Sequence, residues 1–264
     1  MKHEPLVSVI IPAFNASEAI ISCLNSVILQ TYSNIEIIII DDGSTDNTLN
    51  IVKEYKEIEN ITNLQIVSQI NSGPSAARNL GIKMATGEFI AFLDSDDTWT
   101  LNKIEKQIQV FQSKKNAILV GTLTKYITSK KLIEQISFKK LLRKNYFSTP
   151  TVICKSDVLK EFQFNHKQKY SEDYRLWLQI AEKYHCFILN EALVNLYSKR
   201  TYGEKGLSAN LWAMEKGELS NYYFFFKKGS ISILYFIFIV SFSFIKFIKR
   251  YIISKYYIIN IINK

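Results

Sequence analysis

The segment Leu6 to Ala13 is a nearly unbroken apolar run rich in β-branched residues, which predicts a strand buried on both faces. Ser17 then heads a stretch with Ala19, Ile20, Leu24, Val27 and Ile28 at helical spacing, so a helix capped by Ser17 is expected. Ile35 to Ile40 reads as a second buried strand, ending at Asp41-Asp42-Gly43-Ser44. Thr48 to Ile58 reads as a helix and Leu64 to Ile70 as a third strand. Pro74 suits a first helical turn and opens a helix through Met84. Phe89 to Leu93 is a fourth strand, ending at Asp94. Strand and helix in alternation signify a parallel α/β sheet. Ligands of such sheets bind beyond the carboxyl ends of the strands, where Asn15, Asp42 and Asp94 all fall.

Beyond Trp99 the pattern loosens. Leu101 to Phe111 predicts an amphipathic helix, Ala117 to Leu123 a strand, and Thr151 to Cys154 a short strand. The Lys-rich stretch 125–146 yields no assignment. Tyr174 to Tyr184 reads as a helix and Cys186 to Tyr197 as extended chain. From about Leu207 the chain is helical, aromatic and basic. The division expected is one α/β unit over 1–210, with halves 1–100 and 101–210, and a helical extension over 211–264.

Composition narrows the class. With 47% hydrophobic residues over 264 positions, the chain is globular rather than disordered. Three scattered cysteines without CxxC spacing point to reduced thiols, not a disulfide framework or a zinc site. The net charge of +9 suits nucleic acid or an anionic membrane. Lys246, Lys249, Arg250 and Lys255 crowd the C-terminal end among Phe, Ile and Tyr, which favours the membrane and leaves nucleic acid out. The uncharged run Gly229 to Ile245 has 17 residues, short of the roughly 20 that a span needs. An interfacial helix on anionic lipid is therefore expected over 230–258, with two helices packed on the main unit as the plainer alternative. The N-terminus has the features of no signal peptide, so the expected location is cytoplasmic, peripherally attached to the inner face of the membrane.

Four clusters carry candidate chemistry. Asp94-Ser95-Asp96-Asp97 crowds carboxylates at a strand end, where a hard divalent cation shared with substrate phosphates would relieve their repulsion. Asp41-Asp42-Gly43-Ser44 either offers a carboxylate to a base or ribose, or is an Asx-type turn with Gly43 at positive φ. Arg78, on the helix opened by Gly73-Pro74, either pairs with the acidic rim or neutralises a diphosphate. Glu172-Asp173 is a helix cap or a general base.

Taken in order, Val7 to Asn15, Asp41 to Asp46, Gly73 to Gly81, Asp94 to Asp97 and Glu172-Asp173 with Trp177 resemble an inverting family 2 glycosyltransferase of GT-A fold. The resemblance covers roughly residues 6–210. It implies a nucleotide-sugar-binding half over 1–100 and an acceptor-binding half over 101–210. It also implies a nucleotide-sugar donor, commonly a UDP-sugar, and Mn²⁺ or Mg²⁺ as cofactor. The acceptor implied is a glycan or lipid-linked hydroxyl of surface-polysaccharide synthesis. By this likeness Pro12, Phe14, Asn15, Asp42, Arg78, Asp94 and Ser95 hold the donor, with Phe14 stacked on the base and Asp42 bonded to it. Asp96, with Asp94, would ligate the metal, and Asp173 would deprotonate the acceptor. Thr149, Glu172 and Trp177 would lie on the acceptor side, with Ser148 and Thr151 nearby. Where relatives carry Tyr-Arg-x-His, Tyr197-Ser198-Lys199-Arg200 stands here, so Arg200 takes the place of the usual His near the diphosphate. The Gln-x-x-Arg-Trp motif of processive synthases is missing, which favours transfer of a single sugar.

Other classes fit less well. No G-x-G-x-x-G follows the first strand, against a dinucleotide oxidoreductase. A basic nucleic-acid module leaves the acidic rim unexplained. An inactive carbohydrate-binding homologue shares every motif and is separated only by a turnover assay.

Overall fold

The computed structural model describes residues 4–125, 131–196 and 210–262, with side chains as far as Lys255. Strands β1 (Val7–Ala13), β2 (Ile35–Asp41), β3 (Leu64–Ser68) and β4 (Phe89–Phe92) pair in parallel in the order β3-β2-β1-β4. Helices α1 (Ile20–Ile28), α2 (Thr48–Ile58) and α3 (Pro74–Met84) make the crossovers. Both faces of these strands are covered, which is why their sequences are continuously apolar. Val9, Ile11, Ile37 and Ile39 pack toward Cys23, Leu24 and Val52 of α1 and α2. Ile10, Ile38 and Ile40 pack the other way, with Ala77 and Ile82 of α3. The small residues of α3 allow close approach: a Cβ on Gly81 would sit 2.4 Å from Cγ2 of Ile10.

Beyond β5 (Thr98–Trp99) and α4 (Lys103–Ser113), the sheet continues with β6 (Ala117–Leu123) and β7 (Ile133–Ile136). Helix α5 (Phe138–Arg143) and a 3₁₀ turn at Thr149–Thr151 lead to β8 (Ile153–Lys155) and α6 (Ser156–Glu161). Helix α7 (Glu172–Lys183), β9 (His185–Ala192) and β10 (Val194–Asn195) follow. The full order is β3-β2-β1-β4-β8-β6-β9-β7, with β5 and β10 paired separately.

Several expectations are revised. The sheet is mixed, because β8 runs antiparallel between β4 and β6, and β7 is antiparallel to β9. The strand expected from Thr151 starts later, since the Thr151 hydroxyl donates to the Ser148 carbonyl and closes the 3₁₀ turn. Ser17 caps no helix: α1 begins at Ile20, and the Ser17 amide donates instead to Asp46. The Lys-rich stretch contains β7 and α5.

Helices α8 (Leu211–Lys227) and α9 (Ile233–Ile262) form a hairpin that packs on the main unit, α8 against α7 and α9 against α5. Gly217 lets α8 touch the backbone before α7, since a Cβ there would meet the Tyr170 carbonyl at 2.5 Å. Arg250 of α9 reaches back to Glu215 (2.7 Å) and Glu218 (3.0 Å) of α8. The segment 230–258, expected as an interfacial helix or as helices packed on the main unit, is docked along one side, through Ile239 and Ser243, while a broad apolar face stays exposed. Among the described residues, no helix is long and apolar enough to cross a membrane.

Candidate active site

The carboxyl ends of β1, β2 and β4 open onto a cleft of about 900 Å³ lined by Pro12, Phe14, Asn15, Asp42, Arg78, Asp94, Ser95 and Asp96. These are the eight positions expected to hold the donor and its metal. Phe14 is 49% exposed at the cleft wall, unusual for an aromatic directly after a buried strand. Asn15 adopts left-handed backbone (φ 49°), which Asn tolerates better than most residues. Its side-chain oxygen accepts from the Thr45 amide at 2.8 Å, and its own amide donates to Ser44 Oγ at 3.0 Å. Asn15 thereby clasps the loop after β1 to the turn after β2.

That turn divides the work between its aspartates. Asp41 accepts from the Ser44 amide at 3.3 Å in an Asx-type turn, with Gly43 at φ 73°. Asp42 is 3% exposed and accepts from Gln69 Nε2 (2.7 Å) and from the amides of Ser72 and Gly73 (both 2.8 Å). Its carboxylate thus fixes the loop that starts α3, while the residue lines the cleft.

Arg78 is buried, and its Nη2 lies 2.7 Å from Asp94 Oδ1, its Nη1 3.7 Å from Glu172. The guanidinium also lies 5.4 Å from the Phe164 ring centre. Of the two roles open to Arg78, pairing with the acidic rim is the one the geometry displays. It joins the strand end of β4 to the N-terminus of α7. Asp94 keeps a side-chain exposure of 32%, and its backbone carbonyl accepts from the Asp97 amide at 3.0 Å.

Helix α7 starts from Ser171, another non-glycine in left-handed backbone (φ 55°), followed by Glu172 and Asp173. Asp173 accepts from the Tyr174 amide at 2.6 Å and from the Thr149 hydroxyl at 3.3 Å. Burial raises the pKa of Asp173, more than its hydrogen bonds and Arg78 lower it. Burial, then the charge of Asp173, raises Glu172 as well. A carboxylate of raised basicity, reachable from a cleft, is chemically able to take a proton. Asp173 lines two such clefts. One, of about 360 Å³, is shared with Arg78, Asp94, Ser148, Thr149 and Glu172. The other, of about 270 Å³, is walled by Lys144, Tyr146, Ser148 and Thr151.

Trp177 departs from expectation. It is fully buried, packed with Phe92 and Phe164 at ring separations of 6.3 and 5.8 Å, and lines none of the three clefts described above. One turn inward from Asp173 on the same helix face, it has passed from the rim to the core. Arg200 and its neighbours lie outside the described residues. Sequence reasoning missed Asn71 and Asp46, which line the larger cleft, and Lys144 and Tyr146, which wall the small cleft beside Asp173. Asn71 carried a signal, as a polar residue in the turn before α3.

The family profile of glycosyl transferase family 2 matches residues 8–172. The chain belongs to this family. The glycosyltransferase is 34% identical over 213 residues to the Escherichia coli protein WfgD, a UDP-Glc:alpha-D-GlcNAc-diphosphoundecaprenol beta-1,3-glucosyltransferase, covering 78% of this chain and 80% of that one. It is 30% identical over 224 residues to Bacillus subtilis TuaG, a putative teichuronic acid biosynthesis glycosyltransferase, covering 81% and 85% respectively. Among solved structures, S. aureus TarS 1-349 in complex with UDP-GlcNAc superposes with a TM-score of 0.68 at 22% identity, covering 93% of this chain and 72% of that one. The mannosyltransferase PcManGT from Pyrobaculum calidifontis, in complex with GDP-Man and Mn²⁺, gives 0.69 at 17% identity, covering 92% and 74%. The glycosyltransferase spans 39% of the longer TarS chain. These likenesses establish the GT-A fold, with a helical region after it.

Proposed function

We propose that this glycosyltransferase moves one sugar from a UDP-sugar to a hydroxyl of a lipid-linked glycan, with inversion, during surface-polysaccharide assembly. The observation that carries the reading is the continuity of the clefts: Arg78 and Asp94 line both the donor-side cleft and the one that contains Asp173. A donor seated on Phe14 and the β4 rim would present its anomeric carbon toward Asp173. There the carboxylate takes the acceptor proton as the acceptor oxygen bonds to that carbon and the sugar–phosphate bond breaks on the opposite face. An α-linked donor then gives a β-linked product. Thr149 and the Tyr174 amide each hold one oxygen of Asp173, at the wall of the cleft.

Asp94 and Asp96 suit Mn²⁺ or Mg²⁺, being paired oxygen donors at the edge of an open cleft. Among the described residues no cluster of three or more ligating side chains is present, so the donor diphosphate would supply further oxygens. When bound, the cation offsets charge on the departing diphosphate. The activity of WfgD supports a UDP-sugar and a diphospholipid acceptor. The exposed apolar face of α9, flanked by Lys246 and Lys249, supports peripheral attachment to an anionic membrane.

Thermal shift with UDP-glucose, UDP-GlcNAc and GDP-mannose, with and without Mn²⁺, tests the donor. Stabilisation by the uridine nucleotides, deepened by Mn²⁺, is expected. Tighter binding of the guanine nucleotide would overturn the assignment. Turnover of the stabilising donor onto GlcNAc-diphospholipid separates an enzyme from an inactive homologue.

A further inference from the structure

We infer that Trp99 and Gln107 are positioning residues for the proposed base: they fix the turn Thr149–Thr151, and the turn fixes Asp173. The inference rests on Asp173 as the base named above.

Among the described residues, the only hydrogen bond to the Asp173 carboxylate from outside α7 comes from the Thr149 hydroxyl, at 3.3 Å. That is longer than the usual O–H···O bond of about 2.5–3.0 Å, so a small retreat of the turn breaks it. The turn cannot supply such accuracy alone. It has three residues and is closed by the Thr151 and Val152 amides on the Ser148 and Thr149 carbonyls, at 2.9 and 3.2 Å. A single turn of this kind is poorly bonded. Its next two carbonyls are held from outside. Trp99 Nε1 donates to the Pro150 carbonyl at 2.9 Å, and Gln107 Nε2 donates to the Thr151 carbonyl at 3.0 Å. Trp99 is nearly buried and Gln107 fully so, and water therefore does not compete for either bond.

Both donors are themselves fixed. Trp99 pairs with Val194 between β5 and β10, and its amide donates to Ser26 Oγ at 3.1 Å. The Lys103 amine is fully buried, has no hydrogen-bond partner among the described residues, and lies 3.9 Å from the Trp99 ring centre, where it braces the indole. Gln107 stands one turn further along α4, and its Nε2 also donates to the Val120 carbonyl of β6 at 2.6 Å. A buried lysine without an anion, and a glutamine whose two N–H groups serve carbonyls of different elements, are costly on a helix face that apolar residues could fill. What they share is the placement of this turn. Trp99 also ends the segment that opens with Asp94 and Asp96, the expected metal ligands. That end has ties of its own: the Asp94 carbonyl accepts from the Asp97 amide at 3.0 Å and from Cys23 Sγ at 3.6 Å. Loss of the indole N–H should therefore reach the base and spare the donor rim.

The test is a double-mutant cycle on the full chain. Trp99→Phe keeps an aromatic ring and removes the N–H, and Gln107→Met keeps the length and removes both donors. Each should lower kcat roughly tenfold or more, the scale of a base displaced by a fraction of an ångström, with KM for the UDP-sugar unchanged. Thr149→Val removes the hydroxyl through which both are inferred to act. Adding Trp99→Phe to Thr149→Val should therefore cost little beyond Thr149→Val alone. Tyr32→Phe controls for stability, since it also removes a buried donor to a backbone carbonyl, that of Pro5 before β1. It should lower Tm and leave kcat intact. Additive losses in the cycle, or an unchanged kcat in Trp99→Phe and Gln107→Met, would overturn the inference. Should Trp99→Phe fail to fold, Gln107→Met enters the same cycle. Hydrogen exchange of the Thr151 and Val152 amides needs no transfer of sugar. Faster exchange in the Trp99 and Gln107 variants than in Tyr32→Phe supports the hold on the turn even if Asp173→Asn leaves transfer intact, in which case the proposed function alone fails. Exchange equal to that of Tyr32→Phe counts against the inference whatever the kinetics.

Discussion

Asn221→Ala should loosen the corner that carries Asp173. Asn221 is fully buried on α8, and its amide donates to the Ser171 carbonyl at 2.9 Å. Its oxygen accepts from Gln168 Nε2 and from Arg175 Nε, each at 2.9 Å. Removing the side chain leaves a buried carbonyl and a guanidinium nitrogen without this partner. A neutral bond contributes about 1 kcal/mol and one to a charged group about 1.5–3, less where water can replace it, so roughly 2–3 kcal/mol is expected here. For a chain of this size that lowers Tm by roughly 5–10 °C. The catalytic effect is separate. Ser171 in left-handed backbone stores about 1–3 kcal/mol of strain that the clasp offsets, so the corner relaxes once the clasp is cut and Asp173 shifts. We expect kcat to fall at least tenfold with donor KM unchanged. Ser171→Gly in the same background should restore kcat without restoring all of Tm, because glycine adopts this backbone freely. Calorimetric unfolding and steady-state kinetics on the single and double variants decide it. A kcat within twofold of wild type, alongside the expected loss of Tm, would show that α8 supports the fold and not the base.

Four further outcomes follow from the geometry. Asp173→Asn should abolish transfer and leave UDP-sugar affinity intact by titration calorimetry; a parallel loss of affinity would move Asp173 to the donor site. Because burial raises its pKa and the base must be ionised, the acid limb of kcat/KM should lie above the ordinary aspartate value of about 3.9, with activity rising as pH rises through it. The same shift favours the protonated folded state, so its stability contribution declines over that rise, and a limb at or below the ordinary value refutes the assignment. Asp96→Ala should remove Mn²⁺-dependent activity while circular dichroism stays native, and activity within a few-fold would refute the metal role. Gly81→Ala should destabilise by about 1–3 kcal/mol in urea unfolding, since its methyl would overlap Ile10; an unchanged midpoint would mean that α3 can shift away.

The first half of the fold was legible because its signals are local. Apolar β-branched runs, Gly43, Pro74 and charged strand ends punctuate the chain, and α2, α3 and β6 have the expected limits. The second half depends on partners distant in sequence. Strand β8 has three residues and takes its direction from β4 and β6, which no local pattern encodes. The rim position of Asp94 and Asp96 could be read from the strand before them. The hold of Asp42 on the loop before α3 could not, because its donors Gln69, Ser72 and Gly73 come from the next crossover. The burial of Trp177 is equally out of reach of the sequence, because it depends on Phe92 and Phe164 from other elements.

The joint at Arg78 has a consequence for how such enzymes diversify. The donor-side lining comes from residues 12–96, whereas the small pocket beyond Asp173 is walled by residues from 122–188. The two linings share no residue, and Arg78 ties them by bonding Asp94 on one side and Glu172 on the other. Under the proposed function, substitutions in the short stretch 144–148 would reshape what receives the sugar without disturbing how the nucleotide is held. A lineage can keep one activated sugar in use and explore new recipients, and acceptor exchange by grafting that stretch becomes a practical design route.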